Sequence, residues 1–178
     1  MSAKKLLLAA VGLFAGYKLF KATHPEIPEN VSPVTGFELD RYLGKWFEVA
    51  RVDNRFEKGL IKTTAEYTLN GDGTVNVLNS GFDENSGRYK HASGTAEFVR
   101  DKYEGALKVS FFGPFYGGYN IVALDEDYRW AIIVGSSPKY FWVLSRTAEV
   151  PKELKERAIK VASEVGVTPD KLNWVQQN

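Results

Sequence analysis

The feature that most narrows the fold is a run of short alternating segments between Trp46 and Arg146, with no helical pattern between them. The segments are Trp46–Arg51, Thr63–Leu69, Thr74–Gly81, Tyr89–Val99, Gly105–Phe112, Tyr119–Leu124, Trp130–Gly135 and Tyr140–Arg146. Turn-forming clusters part them at intervals of about 8–12 residues. The sharpest is Asn70-Gly71-Asp72-Gly73, and Asp83–Gly87 is another. Eight strands this short, without crossover helices, must pair antiparallel with their neighbours. The expected architecture is all-β, an up-and-down barrel or a sandwich.

Side chains alternate between faces along a strand, so the pattern predicts which point inward. Lys108 requires water, which sends Leu107, Val109 and Phe111 inward. Val75 and Val77 share a face with Asn79, and Ala65, Tyr67 and Leu69 share another. In the last strand Tyr140, Trp142 and Leu144 oppose Phe141, Val143 and Ser145, so both faces are apolar and the outer one needs a cover. The cover is predicted at Pro151–Val165, where Leu154, Ala158, Val161, Ala162 and Val165 form one helical stripe. Pro151 suits the first helical position and Gly166 the stop. Thr168-Pro169 suggests one more helical turn, and Asn173–Gln176 a last short strand.

Composition removes several function classes. The chain has 178 residues and no cysteine, so disulfides, thiolate metal sites and thiol nucleophiles are out. Of two histidines only His91 falls in the barrel region, on the face opposite Ala92, Gly94 and Ala96, where water is expected. Asp83–Gly87 has its glycine at the wrong place for a calcium loop, and Gly94 stands where that loop needs a glutamate. Gly113–Gly118 lacks phosphate-loop spacing, and Asp125-Glu126-Asp127 reads as a solvated turn. No catalytic residue, metal site or cofactor is predicted. Four of the 23 basic and two of the 22 acidic residues lie in the first thirty, leaving 19 against 20, a net charge of −1. That balance speaks against nucleic acid as a partner.

The N-terminus is a separate object. Lys4 and Lys5 precede an apolar run from Leu6 to Tyr17, the pattern of an export signal or a short membrane anchor over residues 1–22. Residues 23–33 read as a linker and 34–178 as the domain. The N-terminal pattern predicts an exported protein, and one without cysteine carries no cysteine-linked lipid. Small inward residues beside large aromatic ones leave space in an eight-strand barrel, and apolar space suits an acyl chain.

Three sequence blocks resemble those of the lipocalins. Phe37–Arg51 carries Gly44-Lys45-Trp46, Leu124–Tyr128 carries Asp127-Tyr128 with Glu126 in place of threonine, and Leu144-Ser145-Arg146 supplies an arginine. Phe111–Asn120 and Trp174–Gln177 are similar to the bacterial outer-membrane members, themselves similar to apolipoprotein D and the plant temperature-induced lipocalins. The resemblance implies an eight-stranded antiparallel calyx with the C-terminal helix packed outside. It implies Gly44, Trp46, Asp127, Tyr128 and Arg146 as structural residues, with the arginine over the tryptophan at the closed end.

It further implies binding of fatty acids or lysophospholipids, a place in the periplasm or at the outer membrane, contact with membranes and a homodimer. The inward positions expected to line the ligand are Ala50, Ala65, Tyr67, Val77, Asn79, Phe98, Val109, Phe111, Tyr119, Ile121, Ile133, Tyr140 and Trp142. Glu48 is expected as an inward, hydrogen-bonded core group. Arg51, Arg55 and Lys58, in or beside the loop Val52–Lys62 at the open end, are expected to meet an anionic head group. Two rivals remain: a lipid-modifying enzyme on the same fold, and an envelope structural protein with a filled barrel.

Overall fold

The computed structural model describes residues 25–178. The targeting or anchor segment expected over 1–22 lies outside the described residues. A short helix, α1 (Leu39–Tyr42), leads into β1 (Gly44–Val52), then β2 (Leu60–Leu69), β3 (Val75–Asp83), β4 (Arg88–Phe98) and β5 (Ala106–Phe112). β6 (Phe115–Leu124), β7 (Trp130–Val134) and β8 (Phe141–Ser145) follow, then helix α2 (Lys152–Glu164), a 3-10 turn at Pro169–Lys171 and β9 (Leu172–Trp174). The strands pair antiparallel in the order β2-β3-β4-β5-β6-β7-β8-β1-β9, and β1 also pairs with β2. Eight strands therefore close into a barrel, and β9 rides on its seam.

The seam holds because the C-terminus fills it. β1 and β2 pair only from Gly44↔Tyr67 to Phe47↔Thr64 and then part. Beyond that point β9 pairs with Ala50–Val52, Val175 N donates to Val49 O, and Lys62 N donates to Gln176 O at 2.7 Å. Gln177 Nε2 bridges both strands by donating to Glu48 O and Thr63 O. Backbone groups that the parting strands leave open thus find partners, as buried peptide groups must.

Two apolar cores result. One lies inside the barrel and includes Phe37, Tyr42, Trp46, Ile133 and Leu144. The other lies outside it, where Leu154, Ala158, Val161 and Ala162 of α2 cover Ile132, Val134, Phe141 and Val143. This explains the last strand, which is apolar on both faces because both are covered. Pro151 stands just before the helix rather than inside it. Residues of the expected linker also pack here: Ile27 and Val31 join the outer core, and Asn30 Nδ2 donates to Val165 O.

One face assignment is corrected. The pairing of β1 with β8 shifts register between Glu48 and Ala50, a bulge that inserts one residue. Alternation therefore breaks there. Trp46 and Glu48 point inward, but Ala50 joins the outer core under α2, and Arg51 turns into the barrel. Strict alternation carried past the bulge misplaced both residues. The loop at this end is also shorter than expected, because β2 already starts at Leu60.

Candidate ligand-binding site

The closed end is built around Trp46, whose side chain is fully buried. Its indole Nε1 donates to Tyr42 O at 2.8 Å. The Arg146 guanidinium lies 3.8 Å from the Trp46 ring centre. It donates through Nη1 to Lys45 O, through Nη2 to Arg41 O and Leu43 O, and through Nε to Tyr128 O. One side chain thereby ties α1, the start of β1 and the β6–β7 turn, and adds a cation–π contact. Gly44 has φ +89 at the start of β1, where a Cβ would be strained and would sit 3.6 Å from Arg146 Nη1. Tyr128 is buried, its hydroxyl accepts from Glu38 N at 2.8 Å, and Arg41 lies over its ring.

Asp127, expected as a structural residue of this end, is exposed and reaches Arg129 only at 3.9 Å. Asp125 holds the turn instead. It accepts from the backbone of Asp127 and Arg129 and twice from the Arg129 guanidinium. Those Arg129 bonds hold its carboxyl below the usual range.

Directly above the floor sits a chain of phenols. Tyr119 Oη lies 2.6 Å from Tyr42 Oη and 2.8 Å from Tyr67 Oη. Burial pushes all three phenols above their ordinary range, so they stay protonated at neutral pH. Phe98 lies low, edge-on to Phe37 with ring centres 6.2 Å apart. Ile121 and Ile133 are fully buried in the barrel core.

Above the phenols the inward faces open. Along β4 Ala96 is buried, Gly94 half-buried and Ala92 exposed. Along β5 Leu107 and Val109 are buried and Phe111 keeps accessible surface. Val77 is buried one position below half-exposed Asn79 on the inward face of β3. Gly94 makes room for Phe111, since a Cβ there would meet its ring at 2.8 Å. Tyr119 and Trp142 keep accessible surface although both belong to the barrel core. Inward side chains are thus mainly apolar, buried at the closed end of these strands and accessible toward the open end. A separate cleft of about 570 Å³ lies on the outside of β3–β5, with polar lining from Asn76, Ser93, Thr95 and Ser110.

The mouth is charged. Arg51 is 1% exposed and donates to Glu48 Oε1 at 2.8 Å, Asp53 Oδ1 at 2.8 Å and Leu60 O at 2.9 Å. Expected at the surface for an anionic head group, it is instead spent inside the protein. Glu48 also accepts from Thr63 Oγ1 at 3.2 Å. Burial and then the nearby Glu57 carboxylate push Glu48 up to about 8, against the pull of Arg51 and Thr63. Glu57 reaches in from the β1–β2 loop and accepts from Trp142 Nε1 at 3.0 Å and from Asn54 Nδ2. Tyr140 stacks on Trp142 at 6.1 Å and stands at the rim, 36% exposed. Arg55 and Lys58 remain exposed on the loop.

Sequence reasoning placed the barrel interior well but missed Tyr42 and Glu57. Tyr42 belongs to a four-residue helix before the first strand, so strand alternation says nothing of its direction. Glu57 is a loop residue, and only its bond to Trp142 marks it.

A closed antiparallel barrel with a buried floor, inward apolar side chains that become accessible along β4 and β5, and an outer helix has the architecture of a calyx. The lipocalin-like domain family matches residues 37–177. The chain is 43% identical over 173 residues to outer membrane lipoprotein Blc of Escherichia coli K12, covering 97% of this chain and 98% of that one. It is 48% identical over 152 residues to outer membrane lipoprotein Blc of Vibrio cholerae, covering 85% and 89%. Among solved structures, insecticyanin of the tobacco hornworm Manduca sexta has the same fold, with a TM-score of 0.67 at 23% identity over 85% of this chain and 87% of that one. The chain belongs to the lipocalin family, in the group that contains the Blc lipoproteins.

Proposed function

We propose that the protein binds one acyl-chain ligand, a fatty acid or lysophospholipid, in its calyx and carries it in the cell envelope without chemical change. The observation that carries this reading is the gradient along the inward faces. Along β4 and β5 apolar side chains go from buried to accessible toward the mouth, from Ala96 to Ala92 and from Leu107 to Phe111. A buried methylene contributes about 0.8 kcal/mol, so a long chain in such a lumen gains enough to offset its ordering and bind at about micromolar concentration.

The rim supports pick-up at a membrane. Phe56, Tyr89, Phe112, Phe115 and Tyr140 are exposed, and all sit at the mouth, where Phe112 reaches 77%. Arg55, Lys58, Arg88 and Lys139 stand among them. Aromatic rings with cations beside them suit the boundary of an anionic bilayer. The related lipoproteins are named for the outer membrane. This chain has no cysteine to acylate, so residues 1–22 would supply any anchor. A homodimer is part of the same proposal.

Titration of the full chain with oleate and with a single-chain phosphatidylcholine, followed by tryptophan fluorescence with Trp142→Phe as the control, tests the reading. Saturable quenching at one ligand per chain is expected. No change with either lipid would leave a filled barrel as the better description.

A further inference from the structure

The phenol chain has a proton too many. Tyr42, Tyr67 and Tyr119 bring three O–H groups, and the two contacts at Tyr119 use two of them. Whichever hydroxyl donates to which, one O–H is left without an acceptor, and the protein offers these hydroxyls no other partner among the described residues. A buried donor left unmade costs about 1–3 kcal/mol. Tyr119, on the inward face of β6, is the member that keeps accessible surface, whereas Tyr42 and Tyr67 are buried. A second loose end lies above it. Asn79 Oδ1, on the inward face of β3 one position beyond the Val77 that pairs with Tyr67, is buried with no donor.

We propose that the floor of the calyx is a hydrogen-bonding subsite for a neutral oxygen, a hydroxyl or carbonyl, at the end of the ligand that enters first. This rests on the calyx reading above and narrows it to amphiphiles oxygenated at the inner end of the chain. A carboxylate does not suit the floor. The nearest cation below it, Arg146, gives its donors to four backbone carbonyls. Among the described residues the only buried cation above it, Arg51, is taken by Glu48 and Asp53. The phenols stay protonated, so they give a proton to share and no charge to pair. A hydroxyl-ended chain suits both loose ends, since it accepts from a phenol and has a proton of its own to donate. The span fits as well. Tyr67 pairs with Gly44 and Trp142 with Arg51, so floor and mouth are separated by roughly 20 Å of strand at about 3.3 Å per residue.

Single substitutions cannot test this, because losing the Tyr42 or Tyr67 hydroxyl still leaves one spare proton and losing that of Tyr119 leaves two. The informative variant is Y42F/Y67F/Y119F. Removing all the hydroxyls together takes away donors and acceptors at once, which is close to neutral for folding. Palmitate and ω-hydroxypalmitate are titrated against the full chain and the triple variant, with a thermal melt as the fold control.

The full chain is expected to bind ω-hydroxypalmitate at least as tightly as palmitate. The triple variant is expected to lose about tenfold for ω-hydroxypalmitate and less than threefold for palmitate. A full chain that binds ω-hydroxypalmitate tenfold more weakly than palmitate overturns the proposal, and does so without the variant. An unchanged ratio in a folded variant also overturns it. An equal tenfold loss for both lipids would put the carboxyl on the floor and overturn the ligand class named. Failure of the full chain to bind either lipid would instead remove the calyx reading itself.

Discussion

The two ends of the barrel solve opposite problems with similar residues. Each sets an arginine beside a tryptophan. At the closed end Arg146 covers Trp46 and gives every donor group to carbonyls that α1, β1 and the β6–β7 turn cannot satisfy themselves. Every guanidinium nitrogen of Arg146 already has a carbonyl partner. At the open end Arg51 and Trp142 meet carboxylates instead. Glu48, Asp53 and Glu57 share one guanidinium and one indole N–H, and two of the three hang on a loop. Backbone carbonyls are fixed and neutral, whereas carboxylates move and titrate. The comparison teaches that one end of this barrel is built to hold and the other to respond.

Substitutions sharpen that contrast, and the largest effect belongs to the floor. Trp46→Ala removes a fully buried ring and the platform under Arg146, and should cost about 3–5 kcal/mol of stability. Urea unfolding would read this as a large fall in midpoint. Arg146→Ala leaves carbonyls of α1 and β1 without their charged donor. It should cost about 2–3 kcal/mol with the ligand-binding stoichiometry unchanged. The Trp142 ring lies in the lumen, where water can replace it. Trp142→Ala should therefore weaken oleate binding about tenfold while costing under about 1.5 kcal/mol in the same urea experiment. Equal destabilisation by Trp46→Ala and Trp142→Ala would erase the distinction between the two ends.

Acidity gives a subtler break. The Glu48 carboxyl is pushed from 4.5 up to about 8 by burial and by Glu57, with Arg51 and Thr63 opposing. A folded chain that keeps a proton the unfolded chain has released loses stability as pH rises. The Glu48 contribution is whole below about pH 4.5 and fades as pH climbs through about 8. Glu48→Gln should therefore gain on the natural protein between about pH 5 and about pH 8.5, measured as the difference in urea midpoint. A difference that stays constant would mean the Arg51 pairing keeps Glu48 ionised throughout. The smallest effect is expected from Glu57→Ala, which frees the loop from Trp142. Stability should shift by less than about 0.5 kcal/mol, and stopped-flow quenching should show faster ligand exchange.

Strand alternation and turn chemistry made most of the barrel legible. Leu107, Val109 and Phe111 face inward as Lys108 requires, and the apolar outer face of the last strand foretold a covering helix. The Gly44, Trp46, Tyr128 and Arg146 arrangement was carried by the family resemblance, and the contacts agree with it. What failed has three separate physical causes. Ala50 and Arg51 lie beyond a bulge, which has no mark in a string of apolar residues and reverses every face after it. Asp125 replaced Asp127 because which carboxylate of a turn folds back depends on backbone angles, and Tyr128 takes a left-handed φ of 58 there. Tyr42 and Glu57 stand outside any strand. Their roles come from long-range contacts with Tyr119 and Trp142, separated from them by 77 and 85 positions in sequence.

The central claim is that the open end admits a lipid into the lumen above a fixed floor. Native mass spectrometry of the full chain, purified without detergent from a bacterial envelope, tests it most directly. The account predicts a bound species with the mass of a fatty acid or single-chain phospholipid, one per chain, released by Trp142→Ala. A protein that arrives empty and takes up neither added oleate nor lysophospholipid would contradict it.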